Sequence, residues 1–436
     1  MILIYTSKIT NRIKYIFKIY FKELIGTEYS FTTQKEEFTA YEGIKLSYTD
    51  QALDNEIFFC SANLLFENNI HEIEHKFVDF ENNTAICPVF AKKAAFPFDP
   101  FAAAFYMITR YEEYLPYLKD QYERFSAEQS IAYKKYFLRK PMINIWAAAI
   151  SEIICKRYPD FKPKTNKFKF VPTIDIDCAY AFKLKGIIRS IGGYIKSVKD
   201  FNFKEIAERS AVLAGIRKDH FDTFDYQFKI HEKYKLNPIY FILFADYNDY
   251  DKNIHVNNQK FRSLIKMLED NAEVGIHPSY ASNSDIKILK KEINTLSKVL
   301  NRQISKSRQH FLKLSLPQTY RNLIDLDITD DYTMGYASDI GFRASICSSF
   351  NFYDLEMEVE TNLRIHPFAF MEGTLRDYLS INADRAMDYI KPLIDEVKAV
   401  NGTFISLWHN ESLSNQRRWV GWQQIYEDMI KYATEK

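Results

Sequence analysis

Two carboxylates end a short apolar run near the middle of the chain. The run is Phe168-Lys-Phe-Val-Pro-Thr-Ile-Asp-Ile-Asp177, in which Asp175 and Asp177 lie two residues apart. Because side chains alternate along a strand, a strand that continues through both acids presents them on one face. Acids at the carboxyl end of a parallel strand are poorly placed for packing and well placed for chemistry. We therefore expect this pair to belong to a functional site.

Three histidines follow at the same kind of position. His277, His310 and His409 each lie at or near the end of an apolar run. A carboxylate and one or two imidazoles that meet at strand ends can hold a divalent metal with one position left open for water. A second carboxylate can take a proton from that water, and a further histidine can protonate a departing amine. The pattern predicts a metal-dependent amide hydrolase.

Structural roles stay open for the same residues. Asp175 and Asp177 can cap the helix that follows, since aspartate is a good helix N-cap. His277 precedes a proline and can simply end its strand, while His310 can fill a gap in the core through a hydrogen bond. Only the three-dimensional arrangement distinguishes these roles from catalysis.

The order of the motifs resembles that of a known family. Thr173-Ile-Asp175-Ile-Asp177 stands where the NodB-homology polysaccharide deacetylases, carbohydrate esterase family four, carry T-F-D-D, here with one residue inserted. Gly275-Ile-His277-Pro-Ser-Tyr-Ala281 matches the first histidine of the family's H-[ST]-x-x-H. Arg308-Gln-His310-Phe311 stands for R-x-P-[FY], and Leu407-Trp408-His409 matches L-x-H. The resemblance implies a distorted (β/α) barrel of the NodB type.

The resemblance also implies catalytic roles. It makes Asp175 the base and Asp177 a metal ligand, although the inserted residue leaves these two roles exchangeable. It makes Arg308 the residue that orients the catalytic carboxylate, and His409 the general acid.

The metal ligands depart from the family pattern at one position. His277 is the first histidine ligand, but Ala281 stands where the second would be and cannot bind a metal. We infer that His310, which replaces the proline of the third motif, supplies the missing ligand. The implied cofactor is a divalent metal, zinc, with cobalt and nickel as alternatives.

A further block suggests substrate contacts. Residues 330–343 resemble the Y-D-S-T-x-G…G-F-R block of capsule-associated deacetylase-like proteins, which implies that Asp331 and Arg343 line the sugar site. We add Tyr280 and Trp408 to this substrate-binding set. For Arg343, as for Arg308, a structural salt bridge is an equal alternative. The implied partner is an N-acetylated sugar or glycan precursor.

The chain divides at a linker-like stretch. Residues 157–168 carry two prolines, several cations and little apolar content. We expect a smaller mixed α+β domain of unknown role at 1–160, and the deacetylase-like portion at 168–436. In the second portion strand-like and helical runs alternate, which predicts an α/β fold with a mostly parallel sheet.

Composition sets further limits. The 436 residues carry a formal net charge of +1, which gives no reason to expect nucleic acid as a partner. Five scattered cysteines without C-x-x-C spacing fit a reducing compartment. No apolar run reaches the ~20 residues of a transmembrane segment, and the basic N-terminus lacks the features of a signal peptide. We expect a cytoplasmic protein.

Two other patterns receive structural interpretations. Apolar residues between 9 and 24 fall on one helical face opposite cations, which fits a helix packed on its own domain better than a membrane-surface helix. His71-Glu-Ile-Glu-His75 matches the zinc motif H-E-x-x-H, but its apolar residues alternate as in a strand. We therefore expect no metalloprotease site there, since that motif binds zinc only on a helix.

The resemblance thus implies an enzyme that removes N-acetyl groups, in surface polysaccharide metabolism. Two alternatives remain. One is a non-catalytic carbohydrate-binding relative, which the incomplete H-[ST]-x-x-H motif favours. The other is a metal-dependent amidohydrolase that acts on a different C–N substrate. The sequence leaves the oligomeric state open.

Overall fold

A computed structural model describes residues 1–81, 83–164 and 166–435. The N-terminal segment contains a parallel sheet of four strands in the order β2-β1-β3-β4 and a separate antiparallel hairpin of β5 and β6. Its elements are β1 (Ile2–Thr6), α1 (Asn11–Phe17), β2 (Tyr29–Thr32), α2 (Lys35–Ala40), β3 (Ile44–Thr49), β4 (Ile57–Cys60), β5 (Phe77–Phe80), β6 (Asn83–Ile86), α3 (Pro100–Ile108), α4 (Ile131–Lys134) and α5 (Met142–Arg157).

The first helix packs inward. Ile13, Ile16 and Phe17 are fully buried, and the helix continues as a π-helix over Lys18–Ile25. Burial of this apolar face agrees with a helix that packs on its own segment. The His71–His75 stretch is not helical, so its two histidines are not one helical turn apart.

The C-terminal segment is built on a sheet of nine strands in the order β12-β13-β11-β10-β9-β8-β7-β15-β14. The strands are β7 (Lys169–Ile176), β8 (Ile239–Ile242), β9 (Glu273–Ile276), β10 (Lys306–Ser307), β11 (Asp330–Asp331), β12 (Phe350–Asp354), β13 (Val359–Ile365), β14 (Phe370–Met371) and β15 (Thr403–His409). The helices are α6 (Gly186–Lys199), α7 (Phe203–Leu213), α8 (Phe224–Lys233), α9 (Gln259–Asn271), α10 (Ile286–Leu300), α11 (Gln318–Ile324), α12 (Ala383–Ala399) and α13 (Trp422–Thr434). Every strand pair is parallel except β12 with β13.

The α/β class is as predicted, but the closed barrel is not confirmed. In the described part of the chain the edge strands β12 and β14 do not pair with each other, so the sheet is open. One edge ends in the antiparallel β12–β13 hairpin, and the other ends in a strand of two residues. A sheet closes into a barrel only when its two edge strands form hydrogen bonds with each other. Here one edge strand is antiparallel to its neighbour and the other is only two residues long, so neither favours that pairing.

The two segments share one hydrophobic core. The ring of Tyr353 lies 4.9 Å from that of Tyr15 and 5.2 Å from that of Phe105. A single cluster of buried apolar residues runs through both segments. The division into domains at 1–160 and 168–436 therefore stays a prediction about chain organisation.

The register of the parallel strands gathers their carboxyl ends at one edge. His409 at the end of β15 pairs with Asp175 on β7, and Ser307 on β10 pairs with Ile276 and Asp331 on its two neighbours. Loops that leave parallel strands at this edge carry the sites of most open α/β sheets. None of the described helices combines the length and the apolar character needed to cross a bilayer.

Candidate metal centre

Asp177, the first residue after β7, lies at the middle of the predicted cluster. Its Oδ1 is 3.2 Å from Nε2 of His277, and its Oδ2 is 3.4 Å from Nε2 of His310 and 3.6 Å from Nε2 of His409. Asp175 lies deeper, with its Oδ2 3.7 Å from Nε2 of His277. The structure therefore brings together side chains that are up to 234 residues apart in the chain, from Asp175 to His409.

Both candidate histidine ligands are held by their other ring nitrogen. Nδ1 of His277 donates to the backbone carbonyl of Arg308. Nδ1 of His310 lies 2.7 Å from Oδ1 of Asp251, which can only accept when it is ionised. In the neutral ring, these partners fix the tautomer in which each Nε2 keeps its lone pair, as in metal sites where a carbonyl or a carboxylate orients the ligand.

The residues fit a divalent metal. Asp177 Oδ1 is buried and has no hydrogen-bond partner among the described residues. The ligand atoms of Asp177, His277 and His310 all lie within 4.8 Å of one another. One carboxylate oxygen and two imidazole nitrogens, with space left for a further ligand, are typical of catalytic zinc sites and suit cobalt or nickel as well.

Charges in the cluster shift the ionisation of two of these groups. Burial favours the neutral form of Asp177, but the rings of His310 and His409 outweigh it and hold the pKa of the Asp177 carboxyl well below its usual range. Burial likewise lowers the pKa of His310, but the carboxylates of Asp177 and Asp251 outweigh it and raise that pKa to about 9. In the metal-free centre His310 is therefore positively charged at neutral pH, with a proton on each ring nitrogen.

Asp175 is locked in place by a buried arginine. Arg308 Nη1 donates to Asp175 Oδ1 at 2.8 Å, and its Nε donates to the carbonyl of Tyr332 at 3.0 Å. The guanidinium lies over the ring of Phe241 at 4.6 Å and near that of Phe368 at 5.6 Å. Because Arg308 is fully buried, this contact fixes the orientation of the Asp175 carboxylate.

His409 is oriented by an acid on the neighbouring strand. Oε1 of Glu372, which directly follows β14, accepts from the backbone N–H of His409 at 2.9 Å and lies 2.8 Å from its Nδ1. Burial lowers the pKa of His409, but the charges of Glu372 and Asp177 outweigh it and raise that pKa well above its usual value. A protonated His409 directs its Nε2–H toward the centre, which is what a general acid requires.

The centre lies at the floor of an open cleft of about 390 Å³. One wall comes from the N-terminal segment: the ring of Tyr122 lies 4.8 Å from that of Phe311, and Arg124 donates to the Phe311 carbonyl at 2.8 Å. The cleft is also lined by Tyr378 and Trp419. Aromatic walls above a polar floor are suited to sugar rings, which stack on aromatic faces while their hydroxyls form hydrogen bonds.

The predicted substrate contacts are corrected in part. Arg343 is buried and pairs with Glu113 of the N-terminal segment, its Nη2 lying 2.6 Å from Oε2. Asp331 is also buried and accepts hydrogen bonds from the hydroxyls of Ser307 at 2.7 Å and Thr333 at 2.8 Å. Both polar groups are satisfied inside the protein, so neither position supports a contact with a sugar.

Trp408 differs from the expectation, whereas Tyr280 stays a prediction. Trp408 is fully buried and packs on Tyr426, with 4.9 Å between the ring centroids. Since β15 alternates, the face that bears His409 is opposite the one that bears Trp408. Tyr280 lies beside the cleft, where its ring stacks on Tyr250 at 4.4 Å and meets Phe311 edge-on at 5.7 Å.

The sequence reasoning missed two acids, Asp251 and Glu372. Glu372 ends the apolar run 368–371 and so carries the same signal that singled out Asp175. Asp251 lies in the loop 246–253, among several aspartates and asparagines, and nothing in the sequence distinguishes it from its neighbours.

Comparisons with known proteins add limited information. Residues 2–159 match the model of a family of unknown function, DUF7033. No curated protein matches the chain.

A structure from Mycobacterium smegmatis assigned as a polysaccharide deacetylase is 11% identical, with a TM-score of 0.39 over 62% of this chain and 86% of that chain. A carbohydrate esterase family four pseudoenzyme from Bacillus anthracis is 12% identical, with a TM-score of 0.30 over 62% of each chain. A polysaccharide deacetylase from Bacillus cereus is 7% identical, with a TM-score of 0.29 over 62% of this chain and 86% of that chain. These values are too low to transfer a function, which has to come from the side chains of this protein.

Proposed function

We propose that the protein is a metal-dependent hydrolase that removes N-acetyl groups from a sugar or glycan precursor. The observation that carries the proposal is the convergence of Asp177, His277 and His310, each histidine with its Nδ1 held by another group and its Nε2 directed at Asp177, beside an Asp175 fixed by Arg308. A structural ion pair needs only one imidazole, whereas here the Nε2 atoms of His277 and His310 both face the Asp177 carboxylate, one at each oxygen. The arrangement favours a metal centre with catalytic groups around it.

The reaction divides among the residues of the chain. Asp177, His277 and His310 would hold a divalent metal, which would supply Lewis-acid activation of the water and the acetamide carbonyl. Asp175 accepts the proton of the attacking water, since Arg308 occupies only one of its two carboxylate oxygens. His409 gives its Nε2 proton to the sugar amine as acetate leaves, and Glu372 stabilises the charged imidazole before that transfer.

The position of His310 supports an enzyme over a binding-only relative. The alternative rested on Ala281, where the family has its second histidine. His310 Nε2 lies 3.4 Å from Asp177 Oδ2, and the His277 and His310 rings are 5.0 Å apart, so a second imidazole is available from another loop. The departure at Ala281 then costs the centre no ligand.

The cleft supports a sugar as the substrate. The rings of Tyr122, Phe311 and Trp419 offer faces for stacking, and the half-exposed guanidinium of Arg418 offers hydrogen-bond donors. We propose that residues 1–160 serve the deacetylase portion by forming this wall.

Acetate release tests the proposal. Protein stripped with a chelator, then given zinc, cobalt or nickel, is incubated with N-acetylglucosamine oligomers, and free acetate is measured. We expect acetate only from the metal-loaded protein. Oligomer binding without acetate release under every metal would favour the binding-only relative. Hydrolysis of small cyclic amides, with N-acetyl sugars left intact, would favour the other amidohydrolase.

Metal binding is expected to depend on pH through His310. A ligand imidazole must be neutral, and the pKa of His310 in the metal-free protein is raised to about 9. Below that value a proton must leave as the metal enters, so apparent affinity should rise as pH rises, by roughly tenfold per pH unit below the pKa. Calorimetry in buffers of different ionisation enthalpy counts the released proton.

A matched variant checks this assignment. In Asp251→Asn the neutral amide no longer favours the charged imidazole, so the pKa of His310 falls and fewer protons should be released near neutral pH. Affinity that is independent of pH, with no proton released by the native protein, would contradict the prediction.

A further inference from the structure

The protein carries an unusual concentration of exposed apolar side chains on one helical hairpin. Nine of the 23 large apolar residues that are exposed in the described structure fall within residues 187–216, on α6, on α7 and next to them. We call this surface the apolar ridge, and its members are Ile187, Ile188, Ile191, Ile195, Val198, Phe201, Phe203, Leu213 and Ile216. Scattered exposed apolar residues are ordinary, but a contiguous patch marks an interaction surface.

Helix α6 exposes its apolar face and packs its polar face against the protein. Ile187, Ile191 and Ile195 follow the spacing of one helical face, and they are 79%, 53% and 64% exposed. The opposite face is polar and lies against the protein: Arg189 donates to the carbonyls of Lys252 and Asn253 at 2.6 and 2.8 Å. An amphipathic helix anchored by its polar face leaves its apolar face unpartnered.

The hairpin is also strongly basic. Between residues 183 and 218, nine lysines and arginines face three acids, a net charge of +6 in a chain whose total is +1. Lys196, Lys199 and Lys204 are exposed and form no ion pair with any described residue. Exposed apolar side chains among unpaired cations are typical of helices that lie in the interface of an anionic membrane.

The hairpin lies beside the entrance of the cleft. The connection from Asp177 to α6 is only eight residues long, from 178 to 185. On the other side, Arg417 Nη2 pairs with Glu208 on α7 at 2.7 Å, and the next two residues, Arg418 and Trp419, line the cleft. A short connection and an ion pair therefore join the hairpin to the residues around the cleft.

We propose that the apolar ridge docks on the surface of an anionic lipid bilayer. A second copy of the chain fits less well, because two such ridges in contact would bring two surfaces of net charge +6 together. If the deacetylase function holds, the substrate class follows: an N-acetylated sugar attached to a lipid, presented to the cleft at the bilayer surface.

Vesicle binding tests the docking without any measure of activity. The full chain is mixed with phosphatidylglycerol–phosphatidylcholine vesicles or with pure phosphatidylcholine vesicles, and the bound fraction is measured by flotation. We expect binding to the anionic vesicles that weakens in high salt. The triple variant Ile188→Gln, Ile191→Gln, Ile195→Gln should bind at least about tenfold more weakly, since three inserted side chains are lost.

The control replaces three exposed apolar side chains outside the ridge. The native residues Phe90, Leu118 and Met357 are 93%, 82% and 67% exposed. A variant that combines Phe90→Gln, Leu118→Gln and Met357→Gln should bind vesicles like the native chain. Equal binding by native and ridge-variant proteins overturns the proposal, as does a native protein that stays unbound. A native dimer that becomes monomeric in the ridge variant overturns it in favour of a second copy.

Activity is measured separately. The ridge variant should release acetate from water-soluble N-acetylglucosamine oligomers at the native rate, because none of its changes touches the cleft. Should the native protein release no acetate, the proposed function fails while the vesicle result still decides the docking.

Discussion

Replacement of His310 by alanine is expected to abolish metal binding and to lower the rate of acetate release by at least about a thousandfold. The protein ligands would fall from three to two, and Asp251 would lose the imidazole that it orients at 2.7 Å. Loss of an orienting partner alone costs a metal site roughly 10–100-fold in affinity, so loss of the ligand costs more. Metal content after dialysis and acetate release with N-acetylglucosamine oligomers measure the two effects.

A histidine outside the centre provides the control. His255 is exposed and lies, like Asp251, in the connection between β8 and α9, so His255→Ala should keep both metal and activity. A folded His310→Ala protein with a full complement of metal would show that the second imidazole is not a ligand. The loss of the family's second histidine at Ala281 would then be real, and the binding-only alternative would gain support.

The main part of the candidate centre could be predicted because strand ends are visible in a sequence. Asp175, His277 and His409 each follow apolar runs that form β7, β9 and β15, and parallel pairing brings their carboxyl ends together. The pattern of alternating strands and helices also sets the α/β class. What the pattern does not encode is whether the sheet closes, since closure depends on the pairing of its two edges.

Long-range pairing limits what the sequence can predict. It left a substrate contact and a structural salt bridge as equal alternatives for Arg343, because the partner Glu113 lies 230 residues earlier in the chain. Trp408 lies beside His409, the proposed general acid, in sequence, yet strand alternation directs the two side chains to opposite faces. The contact of the N-terminal segment with the cleft could not be predicted for the same reason, since Arg124 meets Phe311 only in the folded protein.

The basic hairpin shows a different limit of sequence reasoning. The sequence contains two amphipathic basic helices, α1 and α6, and periodicity alone treats them alike. In the structure the apolar face of α1 is buried against its own segment, while that of α6 faces outward. The neighbours of each helix, and not its own pattern, decide whether an apolar face belongs to the core or to a partner.

Asp175→Asn is expected to lower acetate release by about 10²–10⁴-fold while the metal stays bound. The amide has nearly the same shape as the carboxylate but cannot take a proton from water. The change leaves the buried Arg308 guanidinium without its charged partner at 2.8 Å, so the variant should also unfold at a lower temperature. Circular dichroism at the assay temperature ensures that only folded protein is compared.

The variant Asp177→Asn distinguishes the role of Asp177 from that of Asp175. Asp177 lies within 3.6 Å of all three histidines, whereas Asp175 lies within that distance of none of them. Loss of its charge should therefore weaken metal binding by about a hundredfold, an effect that the asparagine at 175 should not have. The inserted residue in Asp175-Ile-Asp177 leaves room for the opposite assignment. If Asp175→Asn loses the metal and Asp177→Asn keeps it, then Asp175 is the ligand and Asp177 the base, and the proton is taken from the exposed side of the centre.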